Sequence, residues 1–169
     1  TGDLETARAL YKQSLAIQRA IGNRSGEAAS LSNLGNVTHH CGDLEAARTL
    51  YEQSLAIHRA IGNRLGEASS LGNLGEVLLD QDRPAEGLVL LDQAQELLDA
   101  IHNADAEFLL YRAEALRRLN RPSEASAALE HARRRAASTA DPENITRGHF
   151  FLGHLLRDGV SMACMSALP

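Results

Sequence analysis

The chain has 169 residues, of which 44% are hydrophobic and only 4% aromatic, and carries a formal net charge of −5. A core of that make-up is built from leucine and alanine and suits close-packed helices rather than strands, and the modest negative charge excludes a general nucleic-acid footprint. Two cysteines without CxxC spacing exclude a disulfide framework and point to a reducing compartment, the cytoplasm. No apolar run approaches the ~20 residues that span a bilayer, so no membrane partner is expected. Arginine outnumbers lysine sixteen to one, a skew that fits a GC-rich bacterial source.

The pattern that organises the chain is a copy. Gly2 to Arg24 reads GDLETARALYKQSLAIQRAIGNR, and Gly42 to Arg64 reads GDLEAARTLYEQSLAIHRAIGNR. Over residues 2–40 and 42–80 the two segments agree at 28 of 39 positions, a period in the range of stacked repeats. Residues 3–21 are predicted to be a helix, capped by Asp3, with Glu5 in its first turn and Gly22 as the left-handed residue that ends it. A second helix is expected over 27–40. The punctuation returns at Asp43, Glu45 and Gly62 around a third, and residues 67–80 make a fourth. In the third, Leu44, Ala47, Tyr51 and Leu55 form one stripe, while Leu50, Ser54, Ile57 and Ile61 form another. Two stripes predict a helix covered on two sides. Leu31, Leu34 and Thr38 recur as Leu71, Leu74 and Leu78 at helical spacing. Gly35 and Gly75 sit mid-helix, where glycine costs roughly 1 kcal/mol relative to alanine. Their recurrence predicts close approach of a neighbouring helix axis.

Beyond residue 81 the copying loosens but the plan continues. Asp82-Arg83-Pro84 starts a fifth helix, with Leu88, Leu91, Ala94, Leu97, Leu98 and Ile101 on its apolar faces. Residues 105–119 form a sixth around Leu109, Ala113 and Leu116, and Pro122 opens a seventh over 122–138. Asp141-Pro142-Glu143 starts an eighth, to about Asp158, and the stretch after Gly159 reads as an irregular tail. The expectation is an all-α array over 1–158, with units at 1–22 (partial), 27–62, 67–101, 105–139 and 142–158 (partial), and a tail over 159–169.

Leu34-Gly35, Gly42, Leu44, Ala47, Tyr51 and Leu55 fall where the tetratricopeptide repeat keeps its Leu-Gly, Gly, Tyr, Ala, Phe/Tyr and Leu. Leu74-Gly75, Gly87 and Leu91 follow in the next unit, then Ala113, Asn120, Ala125 and Leu129, and finally Leu152-Gly153. The chain resembles a tetratricopeptide array over about residues 2–158. Its forty-residue period is similar to the extended repeats of kinesin light chains, spindle-orientation adaptors and bacterial multidomain regulators. The phrase LAIxRAIGNRxGEA is nearest to the last group, in which such arrays follow an ATPase or kinase domain. The resemblance implies a right-handed superhelical solenoid of antiparallel helix pairs, with the first helix of each pair lining a concave groove that takes an extended peptide or a partner's helix.

In the extended-repeat relatives an Asn one place before the Leu-Gly pair contacts the ligand backbone. That place is Asn33 and Asn73 here, and Tyr111 and Phe151 in the later units. By the same register Ala29, Ser32, Asn36, His39, His40, Ser69, Gly72, Glu76, Leu79 and Asp80 face the groove. The expected partner-binding set is Asn33, Asn36, His40, Asn73, Glu76 and Asp80. An Asn amide offers both donors and an acceptor, so it suits a peptide backbone equally as it suits a bond within its own repeat.

Other constellations point away from chemistry. His39-His40-Cys41 carries metal-ligand types, but adjacent helical residues point about 100° apart and no fourth ligand closes the set. His149 and His154 have the wrong spacing for one helix face. Arg133-Arg134-Arg135 shares its helix with Glu124 and Glu130 and reads as a solvated face. Arg117, Arg118, Arg147 and Arg157 are candidates for a basic patch. No phosphate-loop, dinucleotide, zincin or nucleophile-elbow motif is present, so neither an enzyme nor a cofactor is expected. The reading is a protein-interaction scaffold. The alternative is a spacer or self-association module of a larger bacterial signalling or regulatory protein. Leu10, Leu15, Ile17 and Ile21 at one end, and Phe150, Phe151, Leu155 and Leu156 at the other, are expected to include apolar side chains without complete cover, through which the ends would self-associate.

Overall fold

Asparagine caps and left-handed glycines cut the repeated segment into helices. A computed structural model describes residues 2–103 and 107–139, and it contains α1 (Gly2–Ala20), α2 (Arg24–His40), α3 (Leu44–Ile61), α4 (Arg64–Asp80), α5 (Pro84–Ala100), α6 (Glu107–Arg118) and α7 (Pro122–Thr139). No strand occurs among the described residues. The helix expected over 142–158 and the tail over 159–169 lie outside them. Two compact units divide the chain, Thr1–Asp82 and Arg83–Pro169. In the first, α2 packs on both α1 and α3, and α3 packs on α4. In the second, α6 packs on α5 and α7. Within each unit, successive helices thus lean on one another, as in a helical repeat array.

The turns follow from a few side chains. Gly22, Gly42 and Gly62 adopt φ of 69°, 82° and 70°, the left-handed region that glycine enters without penalty. Asp82 and His102, forty residues after Gly42 and Gly62, keep that conformation at φ 57° and 53° without glycine. Asn23 Oδ1 accepts the Gly26 N–H at 3.0 Å, and Asn63 Oδ1 accepts the Gly66 N–H at 2.9 Å. These caps start α2 and α4 at Arg24 and Arg64, earlier than the 27 and 67 expected from apolar periodicity. Pro84 sits in the first turn of α5, where its missing N–H is not needed.

The phrase RAIGNRxGE proves to be a joint. Glu27, 8% exposed, accepts from Arg19 Nε at 2.9 Å and from Arg24 Nη1. Glu67 repeats the arrangement with Arg59 Nε at 3.0 Å and Arg64 Nη1 at 3.5 Å. The Arg19 hydrogen bond, joined by the charges of Arg24 and Arg19, outweighs burial and holds the Glu27 carboxyl below its ordinary value. Gly26 leaves room for Gln18, whose Cδ would lie 2.5 Å from an added Cβ, and Gly66 leaves room for the His58 ring.

The core of the first unit is Leu15, Ala28, Leu31, Leu34 and Ile57, with Tyr11 and Leu50 packed against it. The helix α3 is buried on both predicted sides, at Ala47, Tyr51 and Leu55 and at Ser54 and Ile57. Ile61 departs from its stripe: the last residue of α3 stays 41% exposed. A serine relay crosses the unit. Ser54 Oγ donates to the Ala28 carbonyl at 2.9 Å and so accepts from Ser32 at 2.8 Å and from Ser70 at 3.4 Å, while Ser14 and Ser30 pair at 2.9 Å. The mid-helix Gly35 answers to a ring, not to a bare helix axis. An added Cβ there would stand 2.6 Å from Tyr51 Cε1 and 2.8 Å from its Cδ1.

Two outcomes follow. Leu34→Ala empties part of the shared core and should cost about 2–5 kcal/mol in chemical denaturation. Glu27→Gln should lower the melting temperature at pH 7. Because the folded carboxyl has the lower pKa, its stabilisation exists above the unfolded carboxylate pKa and disappears as pH falls through the folded value. The gap between parent and variant should therefore close on acidification, which melting curves from pH 7 downward would check.

Candidate protein-interaction surface

All six residues expected at the binding surface lie on α2 or α4, within the first unit. Asn36, His40 and Asp80 are exposed, and Asn33, Asn73 and Glu76 are half-buried. Helices α2 and α4 touch, and His39 Nε2 joins Asp80 Oδ2 across them at 2.7 Å. Tyr51 reaches this surface from α3, its hydroxyl donating to Asn36 Oδ1 at 2.8 Å. Burial and the negative charge of Glu76 together push the Tyr51 hydroxyl well above its ordinary pKa. It is a permanent donor, and Glu76 is near enough to act on it. His40 Nδ1 pairs with the Asn36 carbonyl oxygen at 2.7 Å, which fixes its ring to its own helix.

Several groove positions read from the repeat register turn elsewhere. Leu79 is 3% exposed and Gly72 is buried, so neither faces solvent. Ser32 turns to Ser54 of α3, and Ser69 Oγ donates to the Leu65 carbonyl of its own helix at 3.0 Å. The Tyr51–Asn36 and His39–Asp80 bonds were not expected. Residues at positions 36 and 39–40 differ from those at 76 and 79–80, so no repetition marks either bond.

Asn33 and Asn73 stand apart from this network. Neither side-chain amide is hydrogen-bonded to another described residue. Glu76 likewise forms no ion pair among the described residues. The surface from Ala28 to Cys41 and from Ala68 to Gln81 contains no Lys or Arg, so its formal charge comes from Glu76 and Asp80.

Among its described residues the second unit offers no comparable set. Burial alone would raise the Glu114 carboxyl, but hydrogen bonds from Arg117 and Arg118 outweigh it and hold the pKa low. Those two cations are engaged within their own helix, and Arg147 and Arg157 lie outside the described residues. An open cleft of about 630 Å³ is lined by Arg112, Ala127, Ala128, His131, Arg134 and Arg135. Its guanidinium groups are paired, Arg112 with Asp92, Arg134 with Glu130 and Arg135 with Asp99. Cys41 is a free, exposed thiol, and the described residues contain no cluster of three or more metal-ligating side chains. No described helix is long and apolar enough to cross a membrane.

The family model described as tetratricopeptide repeat matches residues 1–60 and 26–99. The chain belongs to the tetratricopeptide repeat family. Among curated proteins no match is found. Solved structures share the fold. A putative kinesin light chain of Podosopora anserina with nearly identical TPR-like repeats is similar over 90% of this chain and 81% of that one, at 20% identity and a TM-score of 0.65. BtubC (BKLC) from P. vanneervenii is similar over 91% of this chain and 75% of its own, at 14% identity and a TM-score of 0.59. YrrB, a TPR protein with an unusual peptide-binding site, is similar over 98% of this chain and 84% of its own, at 19% identity and a TM-score of 0.55.

Proposed function

We propose that the α2–α4 surface binds an extended segment of a partner protein, and that the chain serves as an interaction scaffold. Tetratricopeptide repeats are in general non-catalytic scaffolds, and the structural relative YrrB is described as a TPR protein with an unusual peptide-binding site. The observation that carries the reading is the pair Asn33 and Asn73. They are forty residues apart at the same place in the repeat, half-exposed, and without a hydrogen-bonded partner among the described residues while their neighbours are engaged. Each amide can meet a peptide N–H and C=O together. Glu76 and Asp80, unopposed by Lys or Arg on that surface, favour a basic side chain in the bound segment. The proposed setting is the bacterial cytoplasm, on the strength of the arginine-rich, cysteine-poor composition. The proposed partner is a protein, since the net charge of −5 disfavours nucleic acid.

A displayed peptide library panned against the full chain supplies the test. The best peptide should bind Asn33→Ala or Asn73→Ala about tenfold more weakly, and the double variant up to roughly a hundredfold, as expected for hydrogen bonds worth about 0.5–1.5 kcal/mol each. Melting temperatures should stay unchanged. Failure to enrich any peptide, or normal binding by variants that melt lower, would assign the two amides to the repeat itself.

A further inference from the structure

The interior of the second unit departs from that of the first at equivalent places. Left-handed Gly42, Asp82 and Asn120, with Pro84 and Pro122 just after the last two, fix the register. In it Leu15 gives way to Gln95, Leu34 to Arg112, Leu50 to Ala128 and Ile57 to Arg135. The first set packs together as apolar core, whereas Arg112, Ala128 and Arg135 line the open cleft of about 630 Å³. Exchanging large apolar side chains for guanidinium and methyl groups opens space and puts charge on its walls.

Donors remain there after the internal ion pairs are made. Arg112 meets Asp92, and Arg134 meets Glu130, through Nε alone, so the Nη pair of each has no partner among the described residues. Gln95 is 8% exposed, and its Oε1 is likewise without a partner. Its Nε2 donates to Asp99 Oδ1 at 2.8 Å, the oxygen that Arg135 Nη1 also reaches at 2.8 Å. A buried acceptor left in that state calls for a ligand or an ordered water. The His131 imidazole senses the field of the cleft. Burial, and then the charge of Arg135, hold it below its ordinary pKa; Arg134 and Arg112 act in the same direction, and Asp99 alone opposes them.

We propose that this cleft binds a phosphate group, free or carried on a peptide side chain. Two guanidinium forks and an imidazole exceed the acceptor sites of one carboxylate and match the three terminal oxygens of a phosphate. The chain's own carboxylates, by holding the Nε edges, reduce the side-chain entropy lost when the forks bind.

The test is a proton NMR titration of the histidines of the full chain, with inorganic phosphate replacing chloride at constant ionic strength. The titration midpoint of His131 should rise saturably by about one pH unit, because a bound anion reverses the field of the arginines, while His39 and His40 do not respond. Arg112→Leu, which restores the leucine of position 34, and Arg134→Gln, at a side chain 70% exposed, should each weaken phosphate binding about tenfold. Acetate should bind more weakly than phosphate. A phosphoserine peptide that binds more tightly than inorganic phosphate assigns the group to a partner protein, and equal binding assigns it to a free phosphate. No change at His131, an equal change at His39 and His40, an equal response to acetate, or an undiminished response in both variants would overturn the proposal.

Discussion

The contact between the Tyr51 ring and Gly35 sets the geometry of the first unit. The ring is 1% exposed, lies where a Cβ would be 2.6 Å from Cε1, and ends in a hydroxyl tied to Asn36. Glycine in mid-helix weakens α2 by roughly 1 kcal/mol relative to alanine, and the buried aromatic area offsets this several times over. The same contact draws α3 against α2 closely enough for Ser54 to reach the Ala28 carbonyl and for Ile57 to join Leu31 and Leu34. It also settles the orientation of α2, leaving Asn33 half-exposed beside an Asn36 that is already engaged.

A second constraint acts at the joints. The Arg19–Glu27–Arg24 and Arg59–Glu67–Arg64 clamps, with the Asn23 and Asn63 caps and the Gly22 and Gly62 turns, bind successive helices at one repeated place. Exposed ion pairs contribute little, but Glu27 is nearly buried, and leaving it unpaired would be costly. The recurrence of LAIxRAIGNRxGEA within this chain therefore has a structural cause. Where the phrase decays, the turn survives: His102 holds the left-handed conformation that Gly62 held, at some cost for a residue with a Cβ.

How much of this was legible follows from what repetition can reveal. Paired positions such as Gly22 with Gly62, Leu34 with Leu74 and Asn33 with Asn73 announce themselves because each occurs twice at one spacing. The starts of α2 and α4 were misjudged because apolar periodicity begins after the capped first turn. The reason for Gly35 was half-seen: crowding was predicted, and the crowding atom is an aromatic side chain. Bonds that occur once, Tyr51 to Asn36 and His39 to Asp80, left no mark, since a pairing across helices has no local sequence signature. The register also placed Leu79 and Gly72 at the surface, although both are buried.

The inner sides of α2 and α4 are committed to Leu, Ser and Gly contacts, and their outer sides, proposed above to meet a partner, carry amides and carboxylates. If the ring-on-glycine contact does set that division, it must appear as a coupling between the two residues. The direct measurement is a double-mutant cycle of Gly35→Ala and Tyr51→Leu by chemical denaturation. Gly35→Ala should destabilise the parent but be neutral or stabilising, by up to about 1 kcal/mol, in the Tyr51→Leu background. A Gly35→Ala variant that gains stability equally in both backgrounds would contradict the account.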